Sequence, residues 1–173
     1  MTSLCQYVDM CQEETVGDLD HAVGYLLKQA ATAFRSAMDS GLRPLRLTVP
    51  QYACLELLGQ RPGLSNADLA RGAFVSRQAM NGVLRGLQDR GLVSRPATAP
   101  HGRALPTQLT PAGREQLHLA SAAVHAIEQQ MLSDLPLGAQ QRLRQDLVSC
   151  TAALTPTTPA NPTRRPPVLG TCQ

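Results

Sequence analysis

This 173-residue chain has no tryptophan, and its aromatic content is two phenylalanines and three tyrosines. Its core must therefore be built from leucine, valine, alanine and methionine. The five cysteines, Cys5, Cys11, Cys54, Cys150 and Cys172, are odd in number and form no C-x-x-C pair. That count argues against a disulfide scaffold and against a structural zinc site. No apolar run approaches the roughly 18 to 20 residues that span a bilayer. The first 27 residues contain no Lys or Arg and carry five acids before His21, so the basic start of a secretory signal is missing. A cytoplasmic protein with no membrane partner is expected. There is no G-x-S-x-G, no H-E-x-x-H and no phosphate-cradling glycine loop, and the four histidines are scattered. Neither an enzyme nor a cofactor is expected.

What is present is positive charge in one place. Between Arg61 and Arg103 lie seven arginines against only Asp68 and Asp89, whereas residues 1 to 58 carry seven acids against Lys28, Arg35, Arg43 and Arg46. A local positive field on a nearly neutral remainder suits a phosphate-binding surface; the plainer reading is a solvated basic face. Lysine occurs once and arginine fifteen times, so the preference for arginine at any one site carries no weight.

The periodicity predicts mostly helices. Leu19, Ala22, Val23, Leu26, Ala30, Ala33, Ala37 and Met38 mark a helix over 18–40, ended by Gly41 and Pro44. Thr48 with Gln51 forms a capping box for a second helix to about Leu58, with Pro50 in its first turn. A turn over Gly59 to Gly63 leads to a second capping box, Ser65 with Asp68, and a short helix through Arg71. Ser76 caps the next helix, 76–90, whose buried stripe is Ala79, Met80, Val83, Leu84 and Leu87. Its other face carries Arg77, Gln78, Asn81, Gly82 and Arg85. Leu92 to Arg95 and Leu105 to Leu109 read as two short strands of a hairpin, with Pro106 confining the second to an edge. Helix, turn, helix and hairpin together read as a winged helix-turn-helix.

Thr110 and Pro111 open a long helix with apolar Leu117, Ala120, Val124, Ile127 and Met131 in a heptad-like seam. After a break at Asp134 to Gly138, a last helix carries Leu143, Leu147, Cys150 and Leu154. Apolar stripes at both chain ends suggest a core shared between subunits. The expected organisation is an acidic leader (1–17), one domain over 18–154 and a proline-rich basic tail (155–173) that does not fold by itself. Within the domain, dimerisation helices 18–40 and 111–154 flank the winged helix-turn-helix of about 45–110. The fold class is mainly α with a small β-wing.

The motifs Thr48-Val-Pro-Gln-Tyr52, Ser65-Asn-Ala-Asp-Leu-Ala70, Val75-Ser-Arg-Gln-Ala-Met-Asn81, Leu87-Gln-Asp-Arg-Gly-Leu-Val93 and Leu109-Thr-Pro-Ala-Gly-Arg114 together resemble those of the MarR family of bacterial transcriptional regulators. The resemblance covers about residues 18 to 152. It implies a two-fold symmetric homodimer whose recognition helices enter the major groove of a pseudo-palindromic operator, as a repressor. Candidate DNA contacts are Ser65, Ser76, Arg77, Gln78, Asn81, Arg85, Arg95 and Arg103. Gln78 and Asn81 can pair with adenine, and Arg77 or Arg85 with guanine or phosphate. Gly82 stands where family members often have a longer side chain. Arg103 matches the wing-tip residue expected to enter the minor groove. The family's usual aspartate two residues earlier is replaced by His101, which is a pH-sensitive group or simply a solvated loop histidine.

The resemblance also implies a small phenolic or lipophilic anion as effector, with His21, Arg35 and Cys54 as candidate pocket residues. Cys54 is equally well read as a small buried hydrophobe. The cysteine of the peroxide-sensing branch falls at Gly24, and the tryptophan of the urate-binding branch is absent. A redox regulator using Cys5 and Cys11, and a protein-binding regulator that has lost DNA contact, are the alternatives. His118 and His125, seven apart, lack the further ligands that a metal site needs.

Overall fold

A computed structural model describes residues 19–95 and 107–155. The acidic leader with Cys5 and Cys11, the expected wing tip with His101 and Arg103, Leu105 and Pro106 at the expected start of the second strand, and the tail from residue 156 lie outside the described residues.

A 3-10 turn, Leu19–His21, precedes helix α1, Val23–Leu42. The sequence places this helix over 18–40 and ends it at Gly41, but Gly41 lies inside it. The reason is a close crossing: a β-carbon on Gly41 would stand 2.8 Å from Cδ1 of Ile127, so glycine is used for approach and not as a stop. A second 3-10 turn, Arg43–Leu45, carries Pro44, and Arg46 reverses the chain in the left-handed region.

Helix α2, Val49–Gln60, opens on the expected capping box. The Thr48 amide donates to Gln51 Oε1 at 3.0 Å, and the Gln51 amide donates to Thr48 Oγ1 at 3.4 Å. Such a cap is worth about 1 kcal/mol. The helix runs two residues past the expected end at Leu58, and Gly59 lies within it, where a β-carbon would meet Leu117 Cδ2 at 2.6 Å. Helix α3, Asn66–Gly72, and helix α4, Arg77–Asp89, follow with their serine caps in place.

The buried side of α4 is Met80, Leu84 and Leu87, with Val83 half-buried. Ala79, expected in that stripe, is exposed because it sits one step of about 100° before Met80, on the shoulder of the stripe. The strands are shorter than expected: β1, Val93–Ser94, pairs antiparallel with β2, Gln108–Leu109, in the register Val93 with Leu109.

Helix α5, Pro111–Met131, packs on α1 and α2, and α2 packs on α4. Leu42, Leu55, Leu58, Leu69, Met80, Leu84 and Leu87 lie almost wholly out of solvent in one aliphatic cluster. Each contributes roughly 1.5 to 3 kcal/mol of apolar burial. Of the α5 seam, Ala120 and Val124 are buried, Leu117 and Ile127 are half-buried, and Met131 is exposed.

Two expected motifs meet at the base of the hairpin. The Thr110 hydroxyl donates to the Gly91 carbonyl at 2.7 Å and accepts from the Gly113 amide at 3.0 Å, while the Thr110 amide donates to the Leu92 carbonyl at 3.1 Å. The Arg-Gly-Leu-Val and Leu-Thr-Pro-Ala-Gly segments are thus two sides of one joint.

The described residues divide into two compact units, one up to Met131 and one from Leu132 onward. In the second, helix α6, Leu137–Leu154, follows a turn held by Gln140, whose Nε2 donates to the carbonyls of Leu132 and Leu135. No residue of α6 is buried; Leu143, Leu147, Val148 and Leu154 face solvent in the single chain.

Candidate nucleic-acid interface

Helices α3 and α4 stand as a helix-turn-helix. Ser76 Oγ accepts from the Ala79 amide at 3.1 Å, which fixes the start of α4 and leaves its hydroxyl proton free to donate. Ser65 is more fully committed. Its hydroxyl accepts from the Asp68 amide at 3.2 Å and donates to Asp68 Oδ2 at 2.6 Å, and this bond chiefly holds the Asp68 carboxyl below its ordinary range.

Gln78, Asn81 and Arg85 are exposed on α4, turned away from its buried stripe, and Arg77 is exposed as the first residue of the helix. Arg77, Gln78 and Arg85 make no ion pair or side-chain hydrogen bond among the described residues. Nothing lies within 4 Å of where a β-carbon of Gly82 would stand, so the backbone there is open to solvent. Asn81 is tethered: Asn66 Nδ2 donates to its Oδ1 at 2.6 Å.

The other arginines of the basic stretch divide. Arg61 is exposed, and Arg71 forms an exposed ion pair with Asp68. Arg90 is structural: its guanidinium donates to the carbonyls of Arg46 at 2.7 Å and Leu45 at 3.3 Å, tying the end of α4 to the connection before α2. Arg95, at the end of β1, is half-buried; its Nε is out of solvent without a hydrogen-bond partner among the described residues. Its charge lies near Cys54, whose burial pushes the thiol up to about 12 despite that opposing influence. Arg103 lies outside the described residues.

The candidate effector residues are not brought together. Cys54 is completely buried, whereas His21 and Arg35 are exposed, one in the turn before α1 and one on α1. Cavities among the described residues lie elsewhere. One, of about 550 Å³, opens between α2, β2 and α5, with Leu58, Leu109 and Leu117 as apolar wall and Glu56, Gln60, Gln108 and Arg114 as polar groups. Another, of about 340 Å³, is an apolar groove where α1 meets the end of α5, lined by Ala33, Phe34, Ala37, Ile127 and Met131 among others. Neither is lined by His21, Arg35 or Cys54. The sequence offered Arg114 only as part of a helix-start motif, and nothing in its pattern marked it as facing a cavity.

His118 and His125 are exposed on α5, and His125 stands 3.9 Å from Glu128. Among the described residues no three His, Cys, Asp or Glu side chains gather as a metal site would require, and no helix is long and apolar enough to cross a membrane.

Capped α3, a tight turn, an amphipathic α4 with an open polar face and a two-stranded hairpin closed by Thr110 define a winged helix-turn-helix. Residues 47–104 match the model of the MarR family. The HTH-type transcriptional repressor Rv2887 of Mycobacterium tuberculosis is 44% identical over 128 residues, 74% of this chain and 92% of that protein. A crystal structure of Rv2887 in complex with DNA superposes with a TM-score of 0.65 at 41% identity, over 74% of this chain and 96% of that one. The Rv2887 complex with salicylic acid gives 0.64 at 43%, over 74% and 95%. The chain belongs to the MarR family.

Proposed function

We propose that the protein is a homodimeric transcriptional repressor that binds a pseudo-palindromic DNA operator through α4 and the wing and is released by a small aromatic or lipophilic anion. The observation that carries this reading is the division of α4. Its Met80, Leu84 and Leu87 side is sealed in the core, while Gln78, Asn81 and Arg85 stand unburied on the side turned away, with the flat backbone of Gly82 between them, and Arg77 stands exposed at the start of the helix. Guanidinium and amide groups on an exposed helix face suit base edges and phosphates of the major groove. The similarity to a repressor crystallised with DNA supports the same reading.

The uncovered apolar side chains support dimerisation. Val23, Leu26 and Leu27 of α1 and Leu147, Val148 and Leu154 of α6 are exposed in one chain, and a second copy is the natural cover. For the effector, the 550 Å³ cavity pairs an apolar wall with the Arg114 guanidinium, the combination an aromatic carboxylate needs, although Glu56 on the same wall opposes an anion. Similarity to a protein crystallised with salicylic acid favours that class of ligand.

The test is a gel shift with the DNA upstream of the protein's own gene at 50 and 200 mM salt. Phosphate contact releases counterions, so the affinity should fall by about 10³-fold or more over that range. Binding that is absent, or indifferent to salt, refutes the DNA-binding reading and favours a protein partner. Salicylate should weaken the shift of the unaltered protein and leave that of Arg114→Ala unchanged; equal release of both removes the cavity from the mechanism.

A further inference from the structure

We propose that Asn66 is a positioning residue for base reading: it holds the side-chain amide of Asn81 in one orientation, so that α4 offers a hydrogen-bond donor at that point of the groove. This rests on the DNA-binding reading above.

An asparagine amide has an acceptor end and a donor end, and a free side chain turns either one outward. Asn81 is not free. Asn66, the first residue of α3, reaches across from fifteen residues earlier, and its Nδ2 donates to Asn81 Oδ1 at 2.6 Å. The Asn81 oxygen is thereby engaged toward α3, and its NH₂ group is the end left for a ligand.

The orientation of the pair is fixed by burial at Asn66. Asn66 is half-buried, and its Oδ1 is out of solvent with no partner among the described residues. Reversing both amides would keep the mutual bond but place the Asn66 NH₂, which has two N–H groups to satisfy, in that buried position. A buried carbonyl oxygen lacking a partner is better tolerated than a buried N–H lacking one. The observed arrangement is therefore the less costly of the two, and the effect reaches the exposed residue.

The consequence is a narrowed base preference. Bidentate pairing with adenine uses the amide oxygen to accept from the N6 amino group and the NH₂ to donate to N7. With the oxygen shared with Asn66, the NH₂ becomes the dominant contact, and guanine, whose major-groove edge presents the acceptors N7 and O6, is favoured over adenine. The choice at one base pair is thus set from the neighbouring helix by a residue that need not touch DNA.

The experiment is selection of operator half-sites from a randomised pool by the full-length protein, followed by titration of the chosen sites. The unaltered protein should prefer guanine at one position per half-site, and Asn81→Ala should erase that preference. Asn66→Ala should lower the discrimination there by about 5- to 10-fold, with the salt dependence of binding unchanged. Asn66→Asp keeps the reach but can only accept, so Asn81 must turn its NH₂ inward and show its oxygen. Selection should then move to a base with an exocyclic amine, adenine or cytosine. An aspartate in the first turn of α3 is favourable at a helix N-terminus, which offsets the carboxylate oxygen it places out of solvent, and a cooperative thermal transition confirms the folded state before selection is read. Adding Asn66→Ala to Asn81→Ala should change nothing further.

Equal weakening on every sequence by Asn66→Ala, an altered preference in the Asn81→Ala background, or selection unmoved by Asn66→Asp would each overturn the inference. Unaltered protein that selects no sequence at all would instead remove the DNA-binding reading beneath it.

Discussion

Gly113 lies so close to Leu92 that a β-carbon built on it would stand 2.0 Å from the Leu92 carbonyl oxygen. Non-bonded carbon and oxygen atoms do not approach to that distance, and the obstacle is backbone, which cannot swing aside. The hairpin base and the start of α5 meet here, with Thr110 bonded to the carbonyls of both Gly91 and Leu92. Gly113→Ala should therefore cost about 3 kcal/mol or more, or prevent folding, by pushing the joint apart. Gly24→Ala is the matched control. That position is in α1, exposed, with nothing within 4 Å of the added carbon, and the change should stabilise by roughly 0.5 to 1 kcal/mol. Urea denaturation of the two variants checks both; a tolerated Gly113→Ala disproves the close packing.

Gly82 occupies the same kind of open space, but on α4. Gly82→Ala should raise stability by about 0.5 to 1 kcal/mol while weakening operator binding, because the methyl group intrudes where the backbone faces the groove. Opposite movements of melting temperature and affinity are expected. If both rise together, that stretch of α4 does not approach the duplex closely.

Arginines of the basic stretch should separate by role. Arg77→Ala and Arg85→Ala should leave the unfolding midpoint within about 0.5 kcal/mol of the unaltered protein and reduce DNA affinity, each lowering the salt slope by about one if it meets a phosphate. Arg90→Ala should instead destabilise by about 1 to 3 kcal/mol through the lost bonds to the Leu45 and Arg46 carbonyls. Denaturation and gel shifts on the same preparations check the division.

Phe74, in the turn between α3 and α4, is 95% exposed and has φ 54°. A bulky side chain in the left-handed region costs roughly 1 to 2 kcal/mol that glycine avoids. Since the ring contributes little burial, Phe74→Gly should raise the melting temperature. A lowered value would mean that the ring is covered in the assembled protein.

Cys54 sets an alkaline limit. Its thiol is raised from 9.0 to about 12 by burial, so the native state favours the protonated form more than the unfolded state does. That contribution is fully present below pH 9 and is lost as pH rises from 9 toward 12. A three-unit shift corresponds to at most about 4 kcal/mol. Cys54→Ala should flatten the fall in stability between pH 9 and 11. At pH 8 iodoacetamide should spare Cys54 until the protein is unfolded; labelling of native Cys54 would contradict its burial.

The helices, their caps and the polar face of α4 can be read along the chain because they depend on neighbours three or four residues away. Thr48 with Gln51, Ser65 with Asp68, and the Met80, Leu84 and Leu87 stripe need no knowledge of the rest of the molecule. Gly41 and Gly59 could not be read this way. Glycine near a helix end has the same local signature whether it stops the helix or admits another one, and only the crossings with Ile127 and Leu117 decide between them. The same holds for Arg90, which local charge counting groups with Arg77 although its partners are two carbonyls more than forty residues away.

Local pattern thus determined which segments coil, where the capped helices α2, α3 and α4 begin and which face of α4 stays wet, since hydrophobic periodicity and capping act within a turn or two of helix. Packing between distant segments decided the rest: which glycines are contact points, which arginines are spent on the scaffold, where Arg114 meets a cavity and which end of Asn81 is left outward. Those outcomes depend on distances between atoms far apart in sequence, and they exist only once the chain has closed on itself.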